Sequence, residues 1–189
     1  DTTEDPTRPA YYAYCPSSCT SAAAFTVLPL GERVDYANLA LDEAGHPRIV
    51  LRRTRPSDLK LVYEYWACDG NCTNGANWTS VAVAEAFPRP VASGEPFSRF
   101  FALDGAGRPR FVYLDAGADS EDPHWGVFYA GCDDDCSNAA SWSETPLADD
   151  SFASGFALAL GPNGQALLAY TSYDSDAIAH EAVALLLDG

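Results

Sequence analysis

The chain is expected to be all-β, a repeat of four-stranded antiparallel units whose hairpins are stapled by small disulfides. Three observations predict this. Six cysteines fall in three C-x-x-x-C pairs, Cys15/Cys19, Cys68/Cys72 and Cys132/Cys136. Each pair occupies the same place in a longer repeat, Y-x-x-C-x-x-x-C-x-x-x-x-x-[W/F], read from Tyr12 to Phe25, Tyr65 to Trp78 and Tyr129 to Trp142. Apolar runs of strand length alternate with Asp- and Gly-bearing turns, and Gly or Pro recurs too often for long helices.

Taken in order, the first ten residues carry charges, Pro6 and Pro9 and almost nothing to bury, so 1–10 reads as an N-terminal extension. Residues 11–189 read as one β-repeat domain. Its units are a partial one at about 11–35, full ones at 36–96 and 97–153, and a partial one at 154–189. Within a full unit, strands A and B flank a turn. The turn Leu41-Asp42-Glu43-Ala44-Gly45-His46-Pro47-Arg48 matches Leu103-Asp104-Gly105-Ala106-Gly107-Arg108-Pro109-Arg110, with a weaker copy at Leu160-Gly161-Pro162-Asn163-Gly164. Gly supplies the positive φ that such a hairpin needs. Strand C ends at the first Cys and strand D starts near the Trp. The last unit has A, B and a C-like strand, and the next Cys position falls near Asp188. Four short antiparallel strands per repeat is the pattern of a β-propeller blade, here about three blades. That number is too few for a closed ring. Ring completion by two chains, a fragment of a longer protein and an open sandwich-like arrangement all remain open.

The Leu-Asp-x-x-Gly-x-Pro-Arg turn followed by paired Cys and Trp resembles repeats of large secreted bacterial proteins, and more loosely sialidase-type β-propellers. The resemblance runs from Tyr11 to about Leu187 and implies repeat architecture. The sialidase Asp-box, S-x-D-x-G-x-x-W, is absent.

Close Cys pairs in even number point to local disulfides and an oxidising, extracellular or cell-surface compartment. A zinc site is the competitor, but it needs about four ligands and no His lies near any pair. Closing so short a loop stabilises by about 2 kcal/mol, enough to pin a turn. The chain opens at Asp1 and contains no Met, as a processed product does; a cloning boundary or a fragment explains it equally. A net charge of -16 argues against nucleic-acid binding. No apolar run reaches the ~20 residues of a membrane helix.

Chemistry-bearing residues are sparse. There is no G-x-S-x-G. His124 and His180 each lie eight residues before the first-Cys position of their units, where neighbouring repeats can bring two imidazoles to copper or zinc. Asp133, Asp134 and Asp135 fill the last C-x-x-x-C loop, and loop carboxylates suit calcium, though no EF-hand spacing is present. Against both stand solvated turn and strand-end residues. Arg52, Arg53 and Arg55 are adjacent, as expected of a surface feature rather than a convergent cluster for a substrate carboxylate. Trp78 and Trp142 recur with the repeat and read as structural, whereas Trp66 and Trp125 do not recur and are the candidates for stacking on a sugar. The expected function is a non-catalytic extracellular module for binding, glycans included, or for self-assembly by strand addition or ring completion. The alternatives are a fragment of a sialidase-like glycoside hydrolase and a metal-binding surface protein.

Overall fold

In a computed structural model the chain is all-β, with thirteen strands among the described residues, all paired antiparallel. The structure describes residues 9–87, 99–115, 126–149, 153–161, 164–173 and 180–187. Of the expected extension, residues 1–8 lie outside that set, and Ala10 already belongs to the first strand.

Four sheets follow one another in chain order. Sheet I pairs β1 (Ala10–Tyr14) with β2 (Thr26–Gly31). Sheet II is β3 (Val34–Leu41), β4 (Pro47–Thr54), β5 (Leu61–Cys68) and β6 (Trp78–Ala86), each bonded to the next. Sheet III repeats it with β7 (Phe101–Leu103), β8 (Pro109–Asp115), β9 (Gly126–Cys132) and β10 (Trp142–Ala148). Sheet IV has β11 (Ser154–Leu160), β12 (Ala166–Tyr173) and β13 (His180–Leu187). No closed barrel forms among these strands.

The sheets pack face to face because most of them are apolar on both sides. In β4, Val50 enters the large core shared by sheets II, III and IV, while Ile49 and Leu51 enter a smaller cluster against sheet I. A strand covered on both faces reads as a continuous apolar run, as Ile49 to Leu51 and Phe111 to Leu114 do. The first strands of sheets II, III and IV stand side by side. The Phe100 N–H donates to the Asn38 Oδ1 at 3.0 Å, and Arg99 exchanges backbone bonds with Phe156 and Leu158 at 2.8 Å.

Two repeated devices hold each unit. One is the turn between the first two strands. The Asp42 Oδ1 accepts from the Ala44 and His46 N–H groups at 3.0 and 2.8 Å, and Asp104 accepts from Ala106 and Arg108 at 2.9 and 3.0 Å. Gly45, Gly107 and Gly164 supply the positive φ, at 80°, 76° and 79°. From the second strand an arginine folds back onto the carboxylate. Arg48 donates to Asp42 at 2.8 Å, to Asp69 at 2.6 Å and to the Cys68 carbonyl at 3.0 Å. Arg110 does the same with Asp104, Asp133 and the Cys132 carbonyl. A Cβ at Gly131 meets the Arg110 Cδ at 3.1 Å, so glycine there leaves the arginine its berth.

The second device is the disulfide loop. Cys15–Cys19, Cys68–Cys72 and Cys132–Cys136 are bonded, with Cα–Cα separations of 5.9, 5.8 and 5.7 Å. Ser18, Asn71 and Asp135, each just before the second Cys, adopt φ of 55°, 48° and 49°. In sheets II and III an Asn then caps a short 3-10 turn, with Asn74 accepting from Ala76 and Asn138 from Ala140 at 3.1 Å. The tryptophan closes the loop: Trp78 Nε1 donates to the Cys72 carbonyl at 2.9 Å, and Trp142 Nε1 to that of Cys136 at 3.1 Å. The Phe25 side chain has no N–H to do this, and Ser21 makes no side-chain cap.

The repeat joins sheet to sheet through aromatic pairs. Tyr12 of sheet I meets Trp78 of sheet II edge to face at 5.0 Å; Tyr65 of sheet II meets Trp142 of sheet III at 5.3 Å. The repeating Tyr and Trp are therefore structural partners across neighbouring units rather than within one.

The last unit departs from the expectation in register. Leu187 faces Ala166, the place that Cys132 has beside Pro109, so the first-Cys position falls at Leu187, one residue before Asp188. Sheet IV also has Gly161 where the others have Asp42 and Asp104, and Leu167 where they have Arg48 and Arg110. Its turn keeps the backbone bonds, Gly161 N–H to Gln165 O at 2.8 Å and Gly164 N–H to Gly161 O at 3.1 Å, without the ion pair.

Three outcomes are expected. Thiol titration of the denatured, unreduced protein finds no free thiol; stoichiometric zinc with free thiols overturns the assignment. Trp78→Ala costs about 3–5 kcal/mol, and a double-mutant cycle with Tyr12→Ala gives a coupling of about 0.5–1.5 kcal/mol; a coupling of zero means that the ring pair does not join the sheets. The third concerns acid. Burial works to raise the Asp104 carboxyl, but the Arg108 and Ala106 N–H groups and the Arg108 and Arg110 side chains outweigh it and hold the group below the ordinary carboxylate value. A folded-state pKa depressed in this way contributes stability that is present above the unfolded value of about 4 and is lost as pH falls through the folded value. Urea midpoints taken from pH 7 downward should therefore drop below about pH 4, and Asp104→Asn should lower the midpoint at pH 7 while flattening that drop.

Candidate functional site

Sheet III and the β11–β12 turn enclose an open cleft of about 310 Å³ lined by Asp104, Arg108, Arg110, Tyr129, Gly131, Asp133, Ser143 and Gly164. The strands place these groups by simple parity. Tyr129 and Gly131 are two apart on β9 and share a face; Ser143 lies opposite Gly131 on β10 and donates its hydroxyl to the Gly131 carbonyl at 3.2 Å. Arg110, also opposite Gly131, comes from β8. Arg108 leaves the turn just before it, and Asp133 follows Cys132 at the end of β9.

The polar side of the cleft is a charge relay between two aspartates. Buried Asp104 takes the Arg108 Nε at 2.7 Å and the Arg110 guanidinium at 3.2 Å; Asp133 takes Arg110 at 2.5 Å and Arg108 at 3.3 Å. Asp104 and Arg110 are buried, whereas Arg108 and Asp133 keep 41% and 75% of their side-chain surface, so the outer pair remains open to a ligand. The other wall is the half-buried Tyr129. Burial pushes its phenol above the ordinary value, leaving a neutral hydroxyl at physiological pH.

What sets this place apart is the repeat itself. Tyr12 and Tyr65 are each covered by the tryptophan of the following sheet. Tyr129 stands at the same repeat position, and among the described residues no aromatic ring packs on it. Sheet IV has three strands and brings no tryptophan to this face. The space occupied by an indole at one joint is part of an open cleft at the next.

Of the residues singled out from the sequence, Asp133 lines the cleft, whereas Trp66 does not. Trp66 is half-buried against the small cluster, 6.5 Å from Trp78, with its Nε1 on Glu64 at 3.3 Å. It packs beside the sheet I joint and does not line the cleft. Trp125 and His124 lie outside the described residues. His180 opens β13 opposite Tyr173. Because the first-Cys position of that unit is Leu187, His180 stands seven residues before it and His124 eight before Cys132, so the two histidines are not repeat equivalents. Asp133 is engaged by two arginines, Asp134 accepts from the Asp135 N–H at 2.9 Å, and Asp135 accepts from the Ser137 hydroxyl at 3.0 Å. Among the described residues no three His, Cys, Asp or Glu side chains are grouped to hold a metal ion.

The adjacent arginines diverge. Arg53 pairs with Glu64 at 2.5 Å, Arg52 lies 4.2 Å over the Tyr36 ring, and Arg55 pairs with Asp58 and Glu85. The cleft residues Arg108, Arg110, Tyr129 and Ser143 were not picked from the sequence as a site. Their signal was present in the duplicated turn motif and in the repeated Tyr, but both read as scaffold.

No family model matches the chain, and no curated protein matches it. Among the described residues no helix is long and apolar enough to cross a membrane. A solved structure to which the chain is similar is that of a fucose lectin from Kordia zhangzhouensis in complex with methyl-fucoside. The identity is 17%, the match covers 82% of this chain and 93% of that chain, and the TM-score is 0.47.

Proposed function

We propose that the chain is a non-catalytic extracellular carbohydrate-binding module of propeller-like repeat architecture, with the Tyr129 cleft as its sugar site. The observation that carries this reading is that half-buried Tyr129, with no aromatic ring packed on it among the described residues, lines an open cleft at a position where both preceding units place an indole. A pyranose has an apolar C–H face and a rim of hydroxyls. The first suits an aromatic wall, and the second suits Arg108 as donor, Asp133 as acceptor and Ser143 as either. The charges are already paired, so a neutral polyol meets a site with no bare charge to desolvate.

The same pairing speaks against hydrolysis as the role of this cleft. A glycoside hydrolase needs one carboxyl held protonated as general acid. The buried carboxyl here, Asp104, is held ionised by its N–H partners and arginines. The three disulfides and the acidity of the chain accord with an oxidising, extracellular setting.

The test is a glycan array followed by titration calorimetry of the best saccharide. Binding should fall at least tenfold in Tyr129→Ala and in Arg108→Ala, and should be largely kept in Tyr129→Phe, which retains the ring. Arg108 is exposed enough that its loss leaves the fold intact, which a melting curve checks. An array with no saccharide above background, or binding indifferent to both alanine variants, overturns the proposal.

A further inference from the structure

Among the described residues, the outward positions of sheets I and IV carry no charged side chain, on a chain with a net charge of -16. On sheet I the inward side chains, Tyr12, Leu28 and Leu30, meet sheet II. The outward face carries Tyr11, Ala13, Phe25, Val27 and Pro29, all exposed, with Tyr11 at 58% and Val27 at 55%. On sheet IV, Phe156, Leu158, Ala166, Leu168 and Tyr170 are buried in the large core. Alternate positions, Ala157, Ala159, Leu167, Ala169, Ala182 and Ala184, are exposed. The register sets them side by side: Ala159 opposite Leu167, Ala157 and Ala184 both opposite Ala169, and Ala182 opposite Thr171. Contiguous exposed apolar patches of this kind mark contact surfaces.

The two faces are also of opposite kind. Each of the first two joints sets the Trp-bearing side of a later sheet on the Tyr-bearing side of an earlier one, Trp78 on Tyr12 and Trp142 on Tyr65. Sheet I has a free side of the first kind, with Phe25, 40% exposed, in the Trp place. Sheet IV has a free side of the second kind. Its residue in the Tyr place is Ala184, opposite Ala169 as Tyr129 is opposite Val112. The aromatic face is bulky where the alanine face is flat, so the two fit by size as well as by polarity.

We propose that the chain associates head to tail with a second copy of itself, the outward face of sheet I packing on the outward face of sheet IV of its neighbour. The contact continues the polarity of the internal joints, so it is heterologous and propagates to a closed ring or an open filament. It uses neither the Tyr129 cleft nor any sugar, and stands or falls apart from the proposed function.

Sedimentation velocity and light scattering of the full chain across a concentration series test it. The average mass should rise with concentration. Val27→Asp on one face and Ala169→Asp on the other should each weaken association at least tenfold. Both positions are exposed, and melting curves near that of the parent confirm folding; Tyr11→Lys and Leu167→Lys form a second pair if either aspartate variant melts early. The decisive sample is an equimolar mixture of the two single variants. Each retains one intact face of opposite kind, so the mixture should form a dimer and go no further. A parent chain that stays monomeric, variants that associate undiminished, or a mixture that stays monomeric overturns the proposal.

Discussion

The inner sheets are apolar on both faces and need a neighbour on each side, and this constraint organises the molecule. Sheets II and III each bury side chains on both sides, Val50 and Val112 toward one neighbour, Ile49, Leu51 and Phe111 toward the other. Neither sheet is stable alone, because half of its apolar surface needs a second sheet to cover it. The repeat is the consequence: every unit is both core and cover. Strands of seven to nine residues suffice because the core is built between units rather than within one.

The polar devices solve a different problem, which is closing the ends of the strands. Each Asp–Arg pair lies where a turn, the tail of the third strand and the disulfide loop converge. Arg110 and Arg48 bridge all three, tying a turn carboxylate to the carbonyl of the first Cys and to the aspartate after it. Buried arginine carries a large desolvation cost, and it is met here by several acceptors at once. Sheet IV lacks both partners, with Gly161 and Leu167 in their places, and shows that the turn itself survives on backbone bonds. The ion pair therefore anchors the turn to the disulfide loop rather than forming the turn.

A repeat makes a site by leaving something out. The interior joints fill the space over Tyr12 and Tyr65 with an indole, whereas the third leaves a cleft beside Tyr129, bordered by the same Asp–Arg cluster that elsewhere is purely structural. The chemistry changes little from unit to unit; the covering changes, and it turns scaffold residues into candidate ligand contacts.

By itself the sequence determined the all-β class, the Cys pairing, the Gly turns and the recurrence of Tyr and Trp. These rest on local rules: a Cys pair four residues apart closes on itself, a turn needs a positive φ, and a strand is a short apolar run. The expected register of the last unit lies one residue off, because nothing local marks the end of β13 where no Cys stands. Only the tertiary structure decided that Tyr12 and Tyr65 meet the Trp of the next unit, that Trp66 packs into a joint, and that Tyr129 lines a cleft. Those outcomes depend on which sheet faces which, a long-range contact between neighbouring units that spacing along the chain does not encode.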